Sequence, residues 1–164
     1  NDSISTVNRL MDMGIKNYLL ASALHGILAQ RLVRRVCDSC AKPDTLTPQA
    51  KAWLQAHDDT PVQDTQFLKG TGCQHCNQTG YSGRIGVYEL LDVDSRLTEI
   101  LGHGDTYGFT KAARSSSNYR PLHEVALDYA KQGITSMDEV LKIAADVQAI
   151  ADTEMEPTMD LAEQ

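Results

Sequence analysis

Four cysteines fall in two pairs of identical spacing, Cys37-Asp-Ser-Cys40 and Cys73-Gln-His-Cys76. Two residues between thiolates let one tight turn aim both sulfurs at a single ion, and two such turns complete a tetrahedron. The chemistry this predicts is structural zinc, with four protein ligands and no open position at which to activate water. Pro43 after the first pair and Gly72 before the second supply the turn chemistry such knuckles use. Three rival uses of the thiols stand beside it. Two disulfides would need an oxidising compartment, and a chain of this size builds a core without them. A redox pair belongs beside a βαβ pattern, which the sequence lacks. The last is four inert buried thiols.

An ion held by four thiolates carries net negative charge, which neighbouring cations would offset. Arg31, Arg34, Arg35 and Lys42 flank the first pair, and Lys69 and Arg84 the second. His75 lies inside the second knuckle, but four cysteines already saturate an ion, so it reads as an exposed loop residue. His25, His57, His103 and His123 have no ligand spacing.

The elements that must bring the two pairs together are read from periodicity. Ile4, Val7, Leu10 and Met11 fall on one helical face, closed by Gly14. A second helix is predicted over 17–36, carrying Leu20, Ala23, Leu24, Ile27, Leu28, Leu32 and Val33 in a stripe broader than a surface helix needs. Between the pairs, a short helix is expected from Pro48 to His57 with Thr47 as N-cap, packing Trp53 and Leu54 inward. The apolar run 87–93 suits a strand, paired with 66–69. Helices then follow over 95–101, 109–114, 122–131 and 137–150, the last opened by a Ser136/Glu139 capping box.

The 164 residues are 41% apolar and 23% charged, which excludes wholesale disorder, collagen and coiled coil. The longest apolar stretch is interrupted by Ser22, His25 and Gly26 and is too short to span a bilayer. The net charge of −7 is concentrated late, in Asp146, Asp152, Glu154, Glu156, Asp160 and Glu163, so 152–164 reads as a flexible acidic tail. An acidic balance with 5% aromatic residues argues against nucleic-acid binding. The chain starts at Asn1 with neither an initiating Met nor a signal-like segment, which reads as a piece of something longer.

Catalytic machinery is missing from the sequence. There is no Gly-x-x-x-x-Gly-Lys-Ser/Thr phosphate loop, and Gly102, Gly104 and Gly108 near Lys111 fit neither that pattern nor a dinucleotide fingerprint. With the cysteines committed and the histidines without evident partners, no nucleophile can be argued. Alone, the chain is expected to catalyse nothing.

Several runs carry a resemblance. Arg31-Leu-Val-Arg34-Arg35-Val-Cys37 leads into one pair; Gly72-Cys73-Gln-His-Cys76-Asn-Gln-Thr-Gly80-Tyr81-Ser-Gly83-Arg84-Ile-Gly86-Val-Tyr-Glu89-Leu90 follows; Gln132-Gly133-Ile134-Thr135-Ser136 precedes the last helix. Residues 1–150 resemble the C-terminal part of the type II secretion and type IV pilus assembly ATPases, most of all the extension ATPases of mannose-sensitive haemagglutinin (MSHA) pili. The resemblance implies a cytoplasmic hexamer, peripheral to the inner membrane, that hydrolyses ATP with Mg at subunit boundaries and drives platform proteins of that membrane. It places the Walker motifs upstream.

The resemblance implies a mainly α fold with a small β element. Residues 1–36 would be the C-terminal helices of a truncated RecA-like P-loop domain, 37–92 a tetracysteine zinc module holding the metal on Cys37, Cys40, Cys73 and Cys76, and 93–151 a helical subdomain. Arg9 and Arg84 match arginines in or near subunit contacts, where a guanidinium fork grips phosphate or carboxylate without losing its charge. A stripe of Leu20, Leu24, Ile27 and Leu28 stripped of its sheet partners would make the piece dimerise through residues 3–36. The alternative of another class is a free-standing zinc-ribbon adaptor binding protein or nucleic acid.

Overall fold

A computed structural model describes residues 2–58 and 65–154, with side chains through residue 146. Helix α1 (Ser3–Asp12) starts at a reciprocal cap: the Asp2 carboxylate accepts the Ser5 N–H at 2.7 Å, and Ser5 Oγ accepts the Asp2 N–H at 3.1 Å. Helix α2 (Asn17–Ala23) follows, and at Leu24 the backbone becomes extended.

The helix expected over 17–36 therefore holds only in its first part. From Gly26 to Val36 the chain is strand β1, antiparallel to β4 (Tyr81–Asp92), in register from Gly26↔Asp92 to Arg34↔Arg84, then after a bulge Val36↔Tyr81. Leu24, Ile27, Leu28 and Leu32 have helical spacing, but Ile27, Ala29 and Val33 also alternate with Leu28, Gln30 and Leu32. A short run apolar on both faces satisfies either period. The ladder offered by β4 and the β-branched Ile27, Val33 and Val36 decide for the strand.

The second correction concerns pairing. Strand β4 begins at Tyr81, earlier than 87, and its partner is β1; the small strand β3 (Leu68–Gly70) pairs instead with β2 (Ala41–Pro43). Helix α3 (Pro48–His57) has the expected bounds, with Thr47 Oγ1 accepting the Ala50 N–H at 3.2 Å. Leu54 is buried, whereas Trp53 is half-buried and stacks on His57 at 4.4 Å. Helices α4 (Ser95–His103), α5 (Thr106–Arg114), α6 (Leu122–Lys131) and α7 (Met137–Glu154) complete a mixed helix and strand fold, richer in strand than a small β element. Of the expected acidic tail, 155–164 lies outside the described residues. No helix among the described residues is long and apolar enough to cross a membrane.

Two apolar clusters lie along the β1–β4 ribbon. One gathers Val33, Leu54, Val87, Leu122, Met137 and Val140; the other gathers Ile4, Val7, Leu20, Leu91, Leu97 and Phe109. The opposite face of the ribbon is bare, with Leu28, Leu32, Tyr88 and Leu90 exposed. Leu20, expected there, is instead buried in the second cluster.

Helix α7 starts where predicted, but the two capping-box side chains bond elsewhere. Ser136 Oγ pairs with the Tyr81 hydroxyl at 2.8 Å. The Glu139 carboxylate takes the Arg34 N–H at 3.0 Å, Arg34 Nη2 at 2.8 Å and Lys142 Nζ at 2.8 Å, clamping α7 to β1. Arg34 also lies 3.9 Å above the Tyr81 ring.

Burial pushes the Glu139 carboxyl up, but the hydrogen bonds from Arg34 and Lys142 outweigh it and hold the group down at about 2. A carboxyl depressed on folding stabilises at pH above its unfolded value, about 4.3, and that stabilisation is lost as pH falls from there toward 2. Glu139→Gln should lower stability at pH 7 by about 1.5–3 kcal/mol and flatten the acid limb below about pH 4.5. Denaturant titrations at pH 7, 4 and 3 check it; parallel wild-type and variant curves would refute the clamp.

Candidate metal centre

The ribbon delivers the knuckles. Strand β1 ends at Val36, one residue before Cys37, and β4 begins at Tyr81, shortly after Cys76; because Val36 faces Tyr81, both pairs emerge at one end. Cys40 N–H closes the first turn on Cys37 O at 3.1 Å, and a single 3-10 turn (Gln74–Cys76) closes the second through Cys76 N–H to Cys73 O at 3.3 Å. Strands β2 and β3 zip the flanks of the two turns together, and Thr71 N–H binds Cys40 O at 3.1 Å.

Close backbone contact makes glycine necessary here. A Cβ on Gly70 would lie 1.9 Å from Gly80 O, and Gly80 itself has φ 77. The same Gly80 carbonyl accepts the Cys37 N–H at 3.0 Å, so the approach of the two loops fixes the first knuckle against the second.

The four Sγ atoms lie within 4.8 Å of one another. Cys37–Cys73 and Cys40–Cys76 are 3.9 Å apart and Cys73–Cys76 3.7 Å. These edges match a tetrahedron around an ion bonded at about 2.3 Å, whose sulfurs stand about 3.8 Å apart. They are far longer than a disulfide bond of about 2.05 Å, and all four thiols are free. Cys37, Cys40 and Cys76 are buried and Cys73 half-buried.

The donor set suits a cation. Cys76 Sγ accepts the Gly80 N–H at 3.2 Å and the Cys73 N–H at 3.3 Å. Burial works against its thiolate, yet these amides and the Cys73 and Cys40 thiols bring it down to about 6. Burial pushes Cys40 up to about 11, with a Gly72 amide pulling the other way. Four sulfurs with one already inclined to ionise are arranged to hold a positive ion, which would draw the remaining protons off.

The cations expected around the sulfurs are partly engaged elsewhere. Arg34 is held by Glu139, and Lys69 pairs with Asp138 at 2.8 Å. Backbone amides donate to sulfur in their place. His75 is exposed, as expected. His57 and His123, far apart in sequence, meet at 5.6 Å beside Trp53, and burial followed by the His57 charge holds His123 down.

Arg9 is exposed in the last turn of α1 and Arg84 is exposed on β4; neither side chain forms an ion pair among the described residues. Glu89 is a buried carboxylate with no counterpart among the sequence-predicted site residues, though its place in the apolar run Val87-Tyr-Glu-Leu-Leu was a visible anomaly.

Comparison with known proteins gives consistent neighbours. A family model described as type II/IV secretion system protein matches residues 1–142. The type II secretion system ATPase E of Vibrio cholerae is 35% identical over 143 residues, covering 87% of this chain and 28% of its own length. The type IV pilus assembly ATPase PilB of Thermus thermophilus is 37% identical over 144 residues, 86% of this chain and 16% of that protein. The type IV pilus assembly ATPase TfpB of Acinetobacter baylyi is 34% identical over 144 residues, with 87% and 24% covered. The chain thus spans between 16% and 28% of the length of these curated relatives.

Elemental analysis of the chain should find one metal ion per molecule. Cys73→Ser should release it and lower the thermal midpoint by about 10 °C or more, since structural metal is folding free energy. Unchanged metal content and midpoint would refute the site.

Proposed function

This chain belongs to the type II/IV secretion system protein family, and on that premise we propose that it is the C-terminal, non-catalytic, zinc-braced part of an ATPase that powers type IV pilus assembly or type II protein secretion. The observation that carries the reading is the unbroken match over 1–142, which takes in both knuckles and the ribbon that joins them.

In this reading, residues 1–36 close a RecA-like motor domain, 37–92 form the zinc module and 93–151 the helical subdomain, with 152–164 an acidic tail. The metal is zinc on Cys37, Cys40, Cys73 and Cys76. Its role is mechanical: ordering two loops and the insert between them costs about 1–2 kcal/mol of backbone entropy per residue, of which metal binding of roughly 10 kcal/mol or more offsets a part, the β2–β3 pairing and the packing of Leu54 supplying the rest. The rest of the parent polypeptide supplies ATP and Mg chemistry in a cytoplasmic hexamer that works against inner-membrane platform proteins. The motif run supports a pilus extension motor of the MSHA kind.

Arg9 and Arg84 are solvent-exposed and form no ion pair among the described residues, the condition a guanidinium needs in order to reach a nucleotide or a neighbouring subunit. In the parent polypeptide, Arg84→Ala and Arg9→Ala should each lower ATP turnover by about tenfold or more without altering metal content. Disrupting the coding region should abolish pili or secretion in the host. Unchanged turnover would remove the arginines from the reading; normal pili together with normal secretion would overturn the reading itself.

Apart from the ring, the bare face of the ribbon directs self-association. Leu28 is 62% exposed and its cross-strand neighbour Leu90 57%, with Leu32 and Tyr88 beside them. For the dimer contact expected within residues 3–36, the exposed side chains of β1 and β4 support a seat on these two strands together. Sedimentation at high concentration should show dimers for the wild-type chain and monomers for Leu28→Glu with Leu90→Glu; a wild-type monomer throughout would refute it.

A further inference from the structure

Glu89, 1% exposed, sits midway along β4 between Val87, which belongs to the apolar cluster under α6 and α7, and Leu91, which belongs to the cluster of α1, α2, α4 and α5. The seam between the two cores is therefore occupied by a carboxylate. A charge buried this deeply persists only when its lone pairs are fully engaged.

They are engaged from both sides. Oε1 accepts the Ser3 N–H at 2.8 Å and the Ser3 hydroxyl, and Oε2 accepts the Leu122 N–H at 3.1 Å. Ser3 is the first residue of α1 and Leu122 the first of α6. One side chain thus answers unsatisfied N–H groups at the start of two helices in two different cores, where both helix dipoles favour negative charge. Helix α1 has its own cap in Asp2, but Pro121 gives α6 no side-chain cap, so the start of α6 relies on Glu89.

We propose that Glu89 is a coupling residue that ties the entry of α1 to the start of α6, so that displacement of the first turn of α1 is passed to α6 and α7 and on to the tetracysteine module. The onward path is at the start of α7: Glu139 grips Arg34 at 2.8 Å, Ser136 meets the Tyr81 hydroxyl at 2.8 Å, and Val36 N–H binds Ile134 O at 2.9 Å, with Val36 adjoining Cys37 and Tyr81 adjoining Gly80. The coupling needs neither ATP nor a ring, so its amide-exchange readout stands or falls separately from the motor function proposed above, while its metal-release readout rests on the zinc reading.

Amide hydrogen exchange on the intact, zinc-loaded chain tests it. Ser3→Pro removes both donors to Oε1 at a position where a helix tolerates proline, and leaves α6 untouched. The Leu122 amide should then exchange about tenfold to a hundredfold faster, the equivalent of losing a hydrogen bond to a charged group, and metal should pass faster to a chelator. Glu89→Gln, which keeps the volume but loses one acceptor, should speed exchange at both Ser3 and Leu122. Ser3→Ala is the milder variant if the proline chain fails to fold, with the same sign. Val7→Ala, which loosens α1 without touching the carboxylate, should leave the Leu122 amide and metal release as they are. Exchange changes confined to α1, or equal effects from Val7→Ala, would overturn the proposal.

Discussion

The antiparallel pairing of β1 with β4 is the constraint from which the remaining architecture follows. It sets Val36 opposite Tyr81 and so puts two cysteine pairs, separated by the whole insert, at one end of one ribbon. Without that register the thiols would belong to unrelated loops, and an ion would have to supply the closure entropy of the intervening chain by itself. With it, an ion would have only two short turns to order. The bulge after Arg34 falls where the ladder must stop and the knuckle begin.

A two-stranded ribbon is not stable on its own. This one is held by what packs on its buried face: Val33 and Val87 at one end, Leu91 at the other, and Glu89 between them. The acidic groups of the interior are there for the backbone. Glu89 satisfies helix starts, and Glu139 satisfies the Arg34 amide where the bulge interrupts the ladder. Each such carboxylate costs desolvation and returns it through several hydrogen bonds at once, so each specifies a unique arrangement where further apolar side chains would only add burial.

The electrostatics of the thiol cluster follow the same economy. Arginine and lysine near the sulfurs in sequence turn to Glu139 and Asp138, both on the first turn of α7. The sulfurs rely on amides of the knuckle itself, which are fixed by the turn and bear no mobile charge. The tetracysteine end of the molecule is thereby joined to α7 by ion pairs and to the ribbon by backbone.

The sequence by itself marked the four cysteines that converge, since Cys-x-x-Cys is a local geometry, and it determined α3, where Thr47, Pro48 and the period agree, and α6 and the start of α7, where a single clean period sufficed. It could not determine residues 24–36, because Leu24, Ile27, Leu28 and Leu32 suit a helix as well as Ile27, Ala29 and Val33 suit a strand, and the choice belongs to a partner strand far along the chain. The partner of β4, the destination of Arg34 and the double grip of Glu89 were likewise decided only by tertiary structure. Each is a contact between residues dozens of positions apart, and spacing along a chain encodes which faces want burial but not which surface will come to cover them.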